Sequence, residues 1–246
     1  MHSEVGDALL ARVRKLLAKA EDPGVTPAEA QALTGKAAEL MAKYGIDRAL
    51  LAAERPETDR PADRVIDVDN PWGQVKAHLL AGIAGAMGCQ CILLSSRGPG
   101  ARIHVFGYAS DLERTDILDT SLLLQMASGH RQAVPPHGVR SVRAWNRSWL
   151  LGFVTAVITR VRNAENIARD QAKKEDAASG GPSTELVLAE RSVVIRNNLQ
   201  QAYPQTRRTR LTYSGRGYSD GYRKGQAANI GQTGLGGSGR AISRGA

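Results

Sequence analysis

Clusters of proline and glycine cut this chain into pieces of helix length, and that punctuation limits its fold more than any other feature. Breaks fall at Asp22-Pro23-Gly24, across Pro56, Pro61 and Pro71, at Gly98-Pro99-Gly100, at Pro135-Pro136-His137-Gly138 and at Ser179-Gly180-Gly181-Pro182. Between them apolar residues recur mostly every three or four positions, the period of a helix buried on one side. Alanine and leucine do the packing: the chain is 42% hydrophobic but only 4% aromatic. That balance favours helices over sheets.

Val5, Leu9, Val13, Leu16, Leu17 and Ala20 form one stripe and predict a helix over residues 4–20. Thr26, Pro27 and Glu29 supply a cap, a first-turn proline and a capping-box acid for a second helix that Gly45 should end. Asp47 is placed to cap a short third helix through Leu51. Trp72, Val75, Leu79, Ile83 and Met87 predict a helix that stops at Gly88. Residues 89–94 and 102–106 read as two strands around a turn-forming segment, hence a β-hairpin. Ser110 and Glu113 suggest a capping box for a helix running to about Gln132. Trp145, Trp149, Phe153, Val157 and Val161 mark a long helix from about Arg140 to Asp176, and their simplest reading is a core stripe rather than base-stacking groups. Residues 184–203 are read as helix despite two β-rich triplets. Residues 217–230 are read as a helix with a small-residue face at Gly221, Gly225 and Ala228.

The expected fold is therefore α+β and mainly helical. An N-terminal helical hairpin module spans 1–53, and the proline-bearing stretch 54–71 reads as a linker. A helix-rich domain with a small antiparallel β-hairpin spans 72–233. Residues 234–246 read as a flexible, basic, glycine-rich tail. No apolar run approaches the ~20 residues needed to cross a bilayer. The start Met1-His2-Ser3-Glu4 has neither the basic nor the apolar part of a secretory signal. Cys89 and Cys91 stand too close to staple a fold, so a cytoplasmic protein is expected.

Three stretches carry a resemblance: Val13-Arg14-Lys15-Leu16-Leu17-Ala18-Lys19-Ala20, Thr26-Pro27-Ala28-Glu29-Ala30 and Glu39-Leu40-Met41-Ala42-Lys43-Tyr44-Gly45-Ile46. Together they resemble the N-terminal module of prokaryotic and phage proteins grouped as domain of unknown function 2786. Residues 106–113, 148–153 and 221–225 resemble the second, uncharacterised module that commonly follows it. The resemblance implies a bacterial or phage protein of two modules. It assigns no activity and no residue role.

Charge is what points to a partner. The chain carries a net +9, but residues 1–127 hold 14 Lys/Arg against 17 Asp/Glu and residues 128–246 hold 19 against 7. A one-sided basic surface most often meets a nucleic-acid backbone. The candidate phosphate contacts are Arg140, Arg143 and Arg147, with Arg160 and Arg162 further along the same helix, and then Arg207, Arg208, Arg210, Arg216, Arg223 and Lys224. Arginine offers bidentate contacts to phosphate, and nothing in the sequence predicts base-specific readout. The expected function is nucleic-acid binding, with DNA the expected form, without chemistry, cofactor or metal.

Two other classes stay open: a metal-dependent hydrolase or nuclease acting on nucleic acid, and an adaptor whose N-terminal module docks a protein partner. A hydrolase would draw on Asp111, Glu113, Asp116 and Asp119, or on Cys89, Cys91, His78 and His104. The plainer readings are acids that complement a helix N-terminus and thiols that pack as small hydrophobes. His130 and His137 bracket a proline loop and read as surface polarity. The late glycines do not carry the Gly-Lys-Ser/Thr ending of a phosphate-binding loop.

Overall fold

The structure is a computed structural model that describes residues 2–20, 22, 24, 25, 27–94, 100–179, 183–207 and 216–228. Helices α1 (His2–Ala20) and α2 (Pro27–Glu54) lead through a 3-10 turn at Pro56–Thr58 to strand β1 (Pro61–Val68). Helix α3 (Gly73–Ala86), strands β2 (Gln90–Leu94) and β3 (Ala101–Tyr108) and helix α4 (Ala109–Gln132) follow. Helices α5 (Val142–Ser179), α6 (Thr184–Ala202) and α7 (Tyr218–Gln226) complete the described chain. The protein is mainly helical α+β, as its composition predicts.

Helix α5 runs through the centre. Trp145, Trp149, Phe153, Val154, Val157 and Val161 are all buried, which makes the four-residue stripe a core stripe. Val13, Leu17, Ala37 and Met41 from α1 and α2 join that same core with Leu79, Ile83, Leu118 and Leu122. The first two helices thus share their hydrophobic interior with the rest of the chain.

Helix α7 lies against α5 by a row of glycines. A Cβ on Gly217 would strike Trp145, one on Gly221 would strike the Trp149 backbone, and one on Gly225 would strike the Phe153 backbone. Successive four-residue steps match, so α7 runs parallel to α5. Only glycine permits this approach of one backbone to another. Helix α3 is parallel to α5 too: its start adjoins Arg143 and Arg147, and its Gly82 abuts Ile158.

The expected hairpin of β2 and β3 is present, antiparallel, with Cys91 opposite Val105. The stretch read as a linker needs correction. Residues 61–68 form β1, which pairs antiparallel with β3 in the order β1-β3-β2. Pro61 stands at the strand's first position and β1 is an edge, the places where a sheet tolerates proline. Val65, Ile66 and Val68 supply the β-branched residues.

Two helix signals also resolve differently. Helix α2 passes through Gly45 to Glu54, absorbing the short helix expected after Asp47. Gly45 serves a close contact instead, because a Cβ there would meet the Arg114 guanidinium. Ser110 does not cap α4. Asp59 does so from the preceding segment, accepting hydrogen bonds from the Ser110 backbone N–H at 3.1 Å and its hydroxyl at 2.7 Å. The tail from 234, together with Arg208 and Arg210, lies outside the described residues.

Candidate functional site

Two regions concentrate charge, and they differ in kind. The first is a buried chain of ion pairs. Arg191 Nη2 donates to Asp59 Oδ2 at 2.8 Å and to Asp111 Oδ2 at 3.0 Å. Arg114 Nη1 donates to Asp111 Oδ1 at 3.0 Å, and its Nη2 donates to Glu165. The Arg191 guanidinium also sits 3.5 Å above the Tyr108 ring, a favourable cation–aromatic contact. All five charged residues are buried. They tie together the segment before β1, the start of α4, the middle of α5 and the middle of α6. Burial raises the Asp111 pKa, opposed by Arg114 and Arg191. Burial pulls the Arg114 pKa down, but Glu165 and Asp111 outweigh it, so the guanidinium stays charged. A cavity of about 630 Å³ opens beside this chain, reaching Cys89, Arg169 and Lys173.

None of Asp59, Arg191 and Glu165 was among the candidate residues. A signal for two of them exists. Glu165 follows Val161 by four positions on the buried stripe of α5. Arg191 falls between Thr184 and Ile195 on the buried face of α6. A charge in phase with an apolar stripe announces a buried pair.

The acids proposed as metal ligands do not converge. Asp111 belongs to the buried chain, Glu113 pairs with Arg14 at 3.0 Å, and Asp116 pairs with Arg64. Asp119 has a buried carboxylate oxygen without a hydrogen-bond partner. Its pKa is pushed up to about 7, first by burial and then by Asp116. The cysteines share a face of the sheet as expected, but His104 faces away from them, because it pairs in register with Ile92 rather than Cys91. His104 Nε2 lies 2.7 Å from Asp63 Oδ2, and its Nδ1 lies 2.9 Å from the Tyr203 hydroxyl. These bonds dock the end of α6 on the sheet. Burial raises both thiol pKa values, that of Cys91 to about 12, as packed thiols require. Among the described residues no group of three or more His, Cys, Asp or Glu side chains is placed to hold a metal ion.

The second region is open. Because α3, α5 and α7 run parallel, their N-termini meet at one end of the molecule. Arg140 precedes α5, Arg143 and Arg147 occupy its first two turns, and Arg216 precedes α7 beside Trp145. Arg140, Arg143 and Arg216 are exposed and Arg147 is half-buried. None of them pairs with a carboxylate among the described residues. Lys76, in the first turn of α3, donates to the Asp69 carbonyl at 3.0 Å. The helix dipoles add positive potential at the same end. Two adjoining grooves of about 490 and 330 Å³ share Asn70, Trp72 and Arg143.

The remaining predicted cations divide. Arg223 is exposed and pairs with Asp220 at 3.0 Å, whereas Lys224 is exposed and its stem runs along Gly129 of α4. Arg207 is exposed beyond the end of α6. Arg160 is structural: it donates to the Gly225 and Ala228 carbonyls and so caps the end of α7.

Residues 8–48 match a family described as a protein of unknown function (DUF2786). No curated protein and no solved structure matches the chain. Among the described residues no helix is long and apolar enough to cross a membrane.

Proposed function

We propose that this protein binds nucleic acid, DNA in the first place, by its phosphates and without chemistry of its own. The observation that carries the reading is the set Arg140, Arg143, Arg147 and Arg216 at the shared start of α5 and α7, with no carboxylate partner among the described residues. An arginine that is not neutralised within the fold keeps its five donors for an outside anion. The net charge of +9 draws a polyanion toward that surface. Arg207, exposed beyond the end of α6, and Arg208 and Arg210, outside the described residues, are carried into this proposal by their charge alone. Arg223 and Lys224 stand in the last turn of α7, away from its start, with Arg223 held by Asp220, and are the outer members of the proposed set. Phosphate contacts position a protein without reading sequence, so affinity should be nearly indifferent to base order.

The test is anisotropy of labelled duplex and single-stranded oligonucleotides over a salt series. Four phosphate contacts predict that log K falls against log salt with a slope of about −3.6 on duplex DNA. The oligonucleotides should run intact on denaturing gels afterwards. No binding at low salt rejects the reading, and cut oligonucleotides replace it with the hydrolase.

A further inference from the structure

Trp72 is the tryptophan that the core does not swallow. The other tryptophans, Trp145 and Trp149, are each 2% exposed, whereas Trp72 is half-buried. It packs on the core in part and lines both grooves of the basic end. Its backbone lies at φ 68°, in the left-handed region. That conformation costs a bulky residue about 1–3 kcal/mol and persists where the surroundings hold it. The larger groove sets this indole beside Pro71 and Val142, with Arg143 and Asn146 around it and Asn70, whose Oδ1 accepts from the Gly73 N–H, at its edge. At about 490 Å³ it falls in the size range of small-molecule sites. An apolar wall with an aromatic and an unpaired arginine matches two parts of a nucleotide: a π-face to stack and a phosphate to neutralise.

We propose that this groove takes an unpaired nucleotide of a single strand, its base stacked on Trp72 and its phosphate on Arg143, with Arg147 beside it in the adjoining groove. This rests on the nucleic-acid reading above and sharpens it, since a base held in a duplex cannot present its face to an indole. Single strands should therefore gain a contact that duplexes lack.

The experiment compares wild type, Trp72→Leu and Trp72→Phe on a labelled oligothymidylate and on a duplex of equal length, with intrinsic tryptophan fluorescence followed in the same titrations. Wild type should show quenching on the single strand, because the other two indoles are buried. Trp72→Leu should weaken single-strand binding about 5- to 150-fold, the worth of one stacked base, and leave duplex binding within about twofold. Trp72→Phe keeps a π-face and should retain most of the affinity. A leucine variant that binds the single strand as tightly as wild type overturns the stacking site and leaves the phosphate reading standing. Equal losses on both forms also overturn it, and make Trp72 a support for the arginines. Wild type that binds neither form rejects both proposals.

Discussion

The two charged regions of this protein use the same side chain to opposite ends. Arg114 and Arg191 are buried and ion-paired with Asp59, Asp111 and Glu165 inside the fold. Arg140, Arg143, Arg147 and Arg216 stand at the starts of parallel helices without a carboxylate among the described residues. The first set joins elements far apart in sequence, with 132 positions between Arg191 and Asp59. The second joins nothing, so its charge faces outward. Net charge alone cannot separate the two. Burial and pairing decide whether an arginine holds the fold or meets a ligand.

The strongest way to break this contrast is to remove one arginine from each region. Arg114→Ala leaves Glu165 buried without its ion-pair partner and Asp111 with Arg191 alone, and should cost about 3–5 kcal/mol. Arg143→Ala should change stability by less than about 0.5 kcal/mol. Urea unfolding of both variants checks this; equal costs would erase the distinction.

Asp119 sharpens the comparison, being a largely buried acid with an unpartnered oxygen. Its folded pKa of about 7 lies above the ~3.9 of an unfolded aspartate. The folded state therefore holds the proton more tightly between those values. Its favourable contribution is complete below about pH 4 and is lost as pH rises through about 7. Asp119→Asn should match wild type in stability near pH 4 and exceed it at pH 8, by up to about 4 kcal/mol. Denaturant midpoints at the two pH values read the difference, and a variant less stable at pH 8 would reverse the sign.

A third variant tests what places Arg216. Gly221→Ala pushes a Cβ into the Trp149 backbone and should cost about 1–3 kcal/mol. It should weaken nucleic-acid binding as well, because α7 carries Arg216 to the interface. Unfolding and anisotropy on the same samples separate the two effects. Gly138→Ala, where a Cβ meets nothing within 4 Å, is strained only by its positive φ and should leave the interface unchanged.

Much of the fold was legible because its helices obey a simple period. The stripe of Trp145, Trp149 and Phe153 is buried as its spacing implies, and the small face of Gly221 and Gly225 meets α5. Strand β1 was hidden because Pro61 and Pro71 frame it and its charged residues Asp63, Arg64 and Asp67 give it the look of a linker. Those charges point to partners elsewhere: Arg64 to Asp116, Asp67 to Arg102 and Asp63 to His104. The buried chain was hidden for a related reason. Asp59, Asp111 and Arg191 meet only when three separate elements pack; the phase of Arg191 on α6 marks it as buried, but local sequence does not name its partners. Residues 106–113, 148–153 and 221–225 contain packing positions: Ser110 and Asp111 at the buried chain, Gly152 and Gly221 at the α5–α7 seam. The basic end was legible as charge but not as a place, since the parallel course of α3, α5 and α7 is what gathers it.

The most direct test of the central claim is the salt dependence of duplex binding by a variant with Arg143, Arg147 and Arg216 all changed to Gln. Each lost phosphate contact flattens the slope of log K against log salt by about 0.9, so the triple variant should lose about 2.7 of slope along with affinity at every sequence tested. The corresponding triple at Arg207, Arg208 and Arg210 measures how far the interface extends along the chain. Unchanged affinity and slope in the Arg143/Arg147/Arg216 variant would contradict the account and remove the shared helix ends from the interface.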